Sequence, residues 1–498
     1  MRHSIHSHIS ARRYRAVRLA LLVTASFQLV GCAVGPKYKT PTAPVPPAYR
    51  ENANWKVAQP SENKLGGNWW EIFNDPQLNA LEEQIDVSNQ NVKMAFAQYQ
   101  EARAALRYAR ADYYPSLTAG PTATRQRYSS NRPASLAGGL TFNDFVFPVY
   151  LNYQVNAFGR VSKNVESYRE QAQASAADLA VVNLTMHADL AVDYFAARTL
   201  DAEEKLLTDT VAQYQQALQL NTDRYDGGLA SEVDVEQAKT ILETTRAQLV
   251  DVGVARAQYE HAVAVLIGKP PAEITLPPLP LTTPPPSIPV GVPSELLERR
   301  PDIAAAERLV ASANAQVGLA QVAYYPLVNI VASGGFESGT ITTLFQGPSA
   351  LWSVGAAVAY TIFDAGKRRA TNDQAKAAYD ASVASYRQSV LTGFQQVEDN
   401  LASLRILENE AAIQATAVEA AERSLDLSNI RYEGGVTSYL EVITAQNAAL
   451  SDEVTAVNIL GRRMASAVLL VEALGGGWDR SELPQRPECC GKLPVGAD

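Results

Sequence analysis

Few residues in this chain are equipped to make or break bonds. Its 498 residues hold three cysteines and five histidines. His3, His6 and His8 sit together near the N-terminus. His187 and His261 stand far apart, with no cysteine or second histidine beside them. That pattern lacks the spacing of a zinc site. Cys489 and Cys490 are adjacent in a Gly- and Pro-containing tail, which suits a disordered tail or a vicinal disulfide better than a soft-metal site. Gly475-Gly476-Gly477 runs into Trp478 rather than a lysine, so it is no phosphate loop. No activated nucleophile pattern appears. We therefore expect no enzymatic activity, no cofactor and no metal.

The remaining cysteine, Cys32, has a different chemistry. Arg2, Arg12, Arg13, Arg15 and Arg18 form a basic start, and Leu19 to Val30 a short apolar run. The run is too short to span a membrane and reads as a secretory leader over 1–31. It ends in Leu29-Val30-Gly31-Cys32, which resembles a bacterial lipobox. Cleavage would free the Cys32 amine, and the thiol and amine would be acylated. Ala33, where an aspartate would retain the protein elsewhere, favours the outer membrane by the same resemblance. Several acyl chains anchor stably, at ~0.8 kcal/mol per buried CH₂. The formal charge is −9, and losing five leader arginines takes it to −14. Such an acidic body is a poor partner for nucleic acid.

The other charged groups of interest follow two Gly-Gly pairs. Asp234 lies just past Gly227-Gly228, and Glu441 just past Gly434-Gly435. Both pairs belong to a repeat. Arg224-Tyr225-Asp226-Gly227-Gly228-Leu229-Ala230-Ser231 returns as Arg431-Tyr432-Glu433-Gly434-Gly435-Val436-Thr437-Ser438. Tyr113-Tyr114-Pro115 returns as Tyr324-Tyr325-Pro326, and Phe158-Gly159-Arg160 as Phe363-Asp364-Ala365-Gly366-Lys367-Arg368. The offsets are 207, 211 and 205, close enough to mark one duplicated unit.

Long helices must carry these turns. No proline falls between Pro148 and Pro270 or between Pro348 and Pro484, and an interior proline would cost ~3 kcal/mol. Leu207, Val211, Tyr214, Leu218, Asn221 and Tyr225 step by four and three, as do Val418, Ala421, Leu425, Ser428 and Tyr432. That is a coiled-coil-like seam with polar Asn221 and Ser428 inside it. The spacing predicts helices from about Arg160 to Tyr225 and from about Gly366 to Tyr432.

Elsewhere the period is two. Alternation over 116–124, 149–157, 326–336 and 350–362 predicts four strands of about ten residues, with polar, mostly uncharged opposite faces. That length spans a bilayer at barrel tilt; a sheet packed on helices is the alternative. No later stretch holds ~20 consecutive apolar residues, so any crossing must be a closed barrel. The fold class expected is α+β, a duplicated helix, β-hairpin, long helix and helix.

Several segments resemble one family. Cys32 with Val34-Gly35-Pro36 and Tyr38, then Trp69-Trp70, Phe73, Asp75-Pro76, Leu78 and Leu81, is similar to the opening of lipoprotein outer membrane factors, the TolC- and OprM-like ducts. Leu297, Arg299-Arg300-Pro301-Asp302-Ile303 and Ala306-Glu307 resemble the family's mid-chain signature. The resemblance runs from Cys32 to about Leu474. It divides the chain into a leader (1–31), a lipid-anchored tether (32–68), a first repeat (69–269), a Pro-rich linker in an equatorial region (270–295), a second repeat (296–474) and a tail (475–498).

The resemblance implies a homotrimer in the bacterial outer membrane, with a 12-stranded β-barrel continued by a periplasmic α-barrel. Four strands cannot close alone, and eight would be plugged by their own side chains. It implies partners: outer-membrane lipids, a periplasmic adaptor and an inner-membrane pump, expected to be of the RND type. Gly228, Leu229, Ala230, Gly435, Val436 and Thr437 would meet the adaptor. Asp234, Leu440, Glu441 and Thr444 would form a periplasmic gate, although acids at a helix N-terminus also answer the macrodipole. Arg224, Tyr225, Arg431 and Tyr432 would hold the tips closed. The function implied is passive export of small molecules such as drugs. The rivals are a duct for type I protein secretion and a pore-less coiled-coil scaffold lipoprotein.

Overall fold

The computed structural model describes residues 34–51, 67–131, 139–291 and 293–484. The leader, Cys32, Cys489 and Cys490 lie outside the described residues. In chain order the elements are α1 (Pro76–Ser88), α2 (Gln90–Ala111), β1 (Ser116–Ala119), β2 (Thr122–Arg127), β3 (Thr141–Gln154), α3 (Arg160–Asp226) and α4 (Glu232–Leu266). They continue with the single turn α5 (Leu296–Arg299), α6 (Pro301–Val322), β4 (Leu327–Ser338), β5 (Ala350–Ala359), α7 (Lys367–Glu433) and α8 (Tyr439–Ala473).

The duplication is visible in the element lengths. α3 and α7 have 67 residues each, α4 and α8 have 35, and α2 and α6 have 22. Each 67-residue helix is about 100 Å long at 1.5 Å per residue. α7 and α8 follow α3 and α4 at an offset of 207. Gly159 and Gly366, also 207 apart, lead into α3 and α7 with φ of 83° and 88°. The backbone there is left-handed, which glycine adopts without penalty. Only α8 among the described helices is long and apolar enough to resemble a membrane helix. Its Ile459, Met464, Val468, Leu470 and Val471 are buried in the chain's own packing.

The chain forms two compact units. The first holds the sheet, most of α6, half of α2 and the opening turns of α3 and α7. There, buried Arg308 pairs with Glu170 at 2.8 Å. Val161 and Val165 pack with Ala109. The sheet order is β1-β3-β4-β5, all antiparallel, with β2 also on β3. β1 and β2 are one strand. Ala119 faces Val149 and Thr122 faces Val146, so the register does not slip across Gly120-Pro121. The ladder lapses where Pro121, like Pro148 in β3, has no N–H to donate.

Four strands are therefore present, with altered bounds. β3 begins at Thr141, well before 149, and runs through Pro148. The alternation predicts a start just after Pro148; the proline instead lies inside the strand, opposite Gly335, where a Cβ would lie 2.1 Å from the Phe147 carbonyl oxygen. β5 ends at Ala359 rather than 362, short of the turn that enters α7.

The second unit holds α1, α4, α8 and the greater parts of α3 and α7. Asp75 caps α1, accepting from the Gln77 and Leu78 amides at 2.9 and 3.1 Å. Trp70 stacks on His187 at 4.4 Å, and His187 Nδ1 lies 2.6 Å from Glu82. Arg300 is a hub: it holds Asp302 with two nitrogens and donates to the Ala473 carbonyl at 2.8 Å. The signature arginine thus ties the start of the second copy to its end. The Pro-rich segment is stapled down, not loose. Arg198 and Arg256 donate to the Pro277 and Leu276 carbonyls at 2.7 Å each, and the Leu279 amide donates to Asp201 at 2.8 Å.

Residues 34–51 carry no regular secondary structure but do not form a free tether. In the first unit Asn314 donates to the Pro36 carbonyl, and Gly35 lies against Gly318. In the second, the Arg50 and Glu51 amides donate to Glu398 at 2.7 and 3.0 Å, and Tyr49 packs against Phe394. Prolines stiffen this segment, so fixing it costs less entropy than for an ordinary chain.

Candidate functional site

Two regions carry functional geometry, the sheet and the hairpin tips. In the sheet, residues two apart share a face. One face aligns Leu117, Leu151, Ala332 and Val354 in a row across four strands, with Val149 and Trp352 in the row above. These side chains are not covered: Trp352, Val354 and Val358 are 80%, 71% and 65% exposed. The alternative of a sheet packed on helices fails here, because none of the described helices covers this face. The other face carries Asn152, Asn329, Ser333 and Ser353, and the Ser333 and Ser353 hydroxyls bond at 2.8 Å. The edges β1/β2 and β5 have no partner strand among the described residues.

At the tips, α3 and α7 each end on left-handed glycine, with φ of 74° at Gly228 and 70° at Gly435. The Leu229 and Ala230 amides bond the Arg224 carbonyl, and the Val436 amide bonds that of Arg431. Leu229 and Val436 are exposed on the turns. The copies then diverge. Asp234 folds back in a capping box, accepting from the Ser231 amide and hydroxyl at 3.0 and 2.9 Å. Its counterpart Glu441 is one methylene longer and leaves Ser438 without a side-chain cap. Glu441 instead pairs with Arg431 at 2.6 Å and accepts from the Thr437 hydroxyl.

The two hairpins also grip one another. Arg224 lies over the Tyr432 ring at 4.7 Å and donates to the Glu433 carbonyl at 3.3 Å. Tyr432 is 7% exposed, packs on Tyr439 at 5.2 Å and donates to Asn221. Tyr225, in the corresponding place, is 44% exposed and leaves the seam. Burial raises the Tyr432 hydroxyl pKa and pushes Tyr439 up to about 12, so both stay protonated. Leu440 is 55% exposed at the first turn of α8, and the Thr444 hydroxyl is spent on the Leu440 carbonyl.

A family model for outer membrane efflux proteins matches residues 81–269 and 292–476, which is both copies of the unit. The chain belongs to that family.

This efflux protein is 31% identical to the toluene efflux pump outer membrane protein TtgC of Pseudomonas putida. The match covers 92% of this chain and 95% of that one. It is 28% identical to the cation efflux system protein CusC of Escherichia coli, over 91% and 97%. The solved outer-membrane channel OprN superposes with a TM-score of 0.84 at 29% identity, over 90% of this chain and all of that one. The resemblance carried by Trp69-Trp70 and Arg299-Arg300-Pro301-Asp302-Ile303 is thus shown. The protein serves as the outer-membrane channel of an efflux system.

Of the residues expected at the efflux protein's tip, the fold joins Arg224 to Tyr432, and Arg431 to Glu441 and Thr437. It keeps Asp234 on its own helix start and leaves Tyr225, Leu229, Val436 and Leu440 exposed. Asn221 and Tyr439 complete the tip core and were not among the expected site residues. Asn221 had left a signal, a polar residue at a seam position.

Proposed function

We propose that three copies assemble into one duct, each lending four strands to a 12-stranded barrel in the outer membrane. The observation that carries this is the uncovered apolar face of a four-stranded sheet with two open edges. An exposed edge must be paired or covered, and backbone in hydrocarbon must be satisfied within the protein. Three copies close the sheet, turn Val354 to lipid and Ser353 to the lumen, and leave a passage that eight strands would not.

The long helices continue this passage as a periplasmic α-barrel. Gly228, Leu229, Ala230, Gly435, Val436 and Thr437 present small and apolar surface to a periplasmic adaptor. An inner-membrane pump of the RND type supplies the energy. Cys32 carries the lipid anchor. The gate at the mouth is Leu440 with Asp234, Glu441 and Thr444, closed by Arg431–Glu441 and Arg224–Tyr432. TtgC and CusC are named for toluene and for cations; we assign this duct to small toxic molecules handed over by its pump.

Mass measurement in detergent should give a trimer, and planar bilayers should show a channel. Arg431→Ala and Leu440→Ala should each raise resting conductance. A monomer with full strand content, or a trimer that carries no current, would overturn the reading. Cys32→Ser should abolish incorporation of labelled palmitate, and retained label would remove the anchor from it.

A further inference from the structure

The outward face of the sheet changes character before its strands end. Counting along the register away from the helices, the apolar rows reach Phe147 opposite Phe336, with Phe345 packed on both rings at 5.8 and 5.4 Å. The next level on that face is Ala123 and Phe145. Beyond it stand Arg125, opposite Asn143, and Arg127, opposite Thr141. Both arginines are exposed. Neither has an ion-pair partner among the described residues. The nearby carboxylates are on the other face: Asp144 lies opposite Thr124, and Glu337 opposite Val146.

The spacing matches the layers of a membrane. From the Val328–Val358 level to Phe145 is ten residues along the strands. At 3.4 Å per residue and barrel tilt that is about 26 Å of height, close to the ~25 Å apolar band of an outer-membrane barrel. Arg125 comes two residues later, about 5 Å higher. The polar headgroup layer is itself only about 5–7 Å deep on each side. An aromatic level followed by two unpaired guanidinium groups therefore falls at headgroup height. Guanidinium is the side chain best suited to hold phosphate, through parallel N–H donors.

We propose that Arg125 and Arg127 bind the phosphates of an outer-leaflet glycolipid, whose acyl chains lie on the Phe147, Val149 and Leu151 rows below. The proposal rests on the reading that the sheet spans the outer membrane with its helices on the periplasmic side. The contiguous apolar surface below the arginines selects a phosphorylated lipid over free phosphate.

The full-length protein in detergent, titrated with diphosphorylated lipid A and read by native mass spectrometry, tests it. Wild type should bind this lipid in preference to its dephosphorylated form. Each arginine near an anionic lipid surface contributes roughly five-fold, so Arg125→Gln/Arg127→Gln should bind about 25-fold more weakly. Arg125→Lys/Arg127→Lys should recover most of that loss. Asp144→Asn/Glu337→Gln, altering the opposite face, should not weaken binding. Equal binding of both lipid forms, unchanged binding by the double Gln variant, or displacement by millimolar inorganic phosphate would overturn the proposal. Bilayer conductance keeps the two readings apart. A conducting trimer indifferent to lipid phosphate refutes only the lipid site, whereas absence of current refutes the barrel and the site with it.

Discussion

Arginine substitutions on neighbouring residues of β5 separate the two faces of the sheet. Val354 pairs with Ala332, midway between the Val328–Val358 and Phe336–Ala350 levels. It is 71% exposed on the apolar face. In the proposed barrel an arginine there would sit at the bilayer midplane, at a cost of ~2–4 kcal/mol per chain, and a trimer would carry it three times. Ser353→Arg lies on the opposite face, the lumen side of the proposed barrel, and would lose only the 2.8 Å Ser333 hydrogen bond, worth ~0.5–1.5 kcal/mol. Val358→Arg lies four residues along the same face as Val354, which in the proposed barrel is roughly 10 Å nearer the interface, where the cost would fall to ~0–1 kcal/mol. The expected order of destabilisation is therefore Val354 well above Ser353 and Val358. Urea titration of protein folded into lipid vesicles, followed by fluorescence, measures it. If Ser353→Arg costs as much as Val354→Arg, the alternation of faces is wrong. If Val358→Arg does, the membrane level is wrong.

Three further outcomes follow from buried groups. Asn221→Ala removes the partner of the buried Tyr432 hydroxyl, which should cost ~1–3 kcal/mol in thermal unfolding and raise resting conductance; a silent variant would dissociate this bond from tip closure. Burial pushes the Glu82 carboxyl up to about 7, against the opposing pull of its His187 hydrogen bond. The native state then keeps a proton that the unfolded chain releases above about 4.5, so this contribution is full below that pH and lost as pH rises through about 7. Melting temperature from pH 5 to 7.5 should fall more steeply in wild type than in Glu82→Gln, and parallel curves would contradict the shift. Gly335→Ala would put a Cβ 2.1 Å from the Phe147 carbonyl oxygen and should disrupt the β3–β4 pairing, seen as a loss of heat-resistant trimer on gels; undiminished trimer would refute that packing.

The long helices were legible because their signals are local and repeated. Proline-free tracts and a four-three seam placed α3 and α7 within a residue or two. The strands were harder at their far ends. Pro148 looked like a terminus, and only the opposed Gly335 makes it an interior residue. The buried pairs Glu82–His187 and Arg300–Ala473 join residues more than a hundred positions apart, and no periodicity announces such contacts. Asp234 and Glu441 looked equivalent after their Gly-Gly turns. A single methylene sends one into a capping box and the other onto Arg431, a choice made by reach rather than by pattern. Likewise nothing in residues 36–51 announced the carboxylate of Glu398 that fastens their far end.

The equal lengths of the paired helices bear on how such a mouth could move. In a trimer, six staves of one backbone geometry would ring the axis. The side chains at the turns differ: Asp234 caps its own helix and Glu441 pairs with Arg431 inside its own hairpin, while Arg224 and Asn221 tie the first hairpin to Tyr432 of the second. Backbone repetition would let the staves pack as near-equals, while the Arg224–Tyr432 and Asn221–Tyr432 contacts would couple the two hairpins of each chain. Such a mouth would thus move as three coupled pairs rather than as six independent staves.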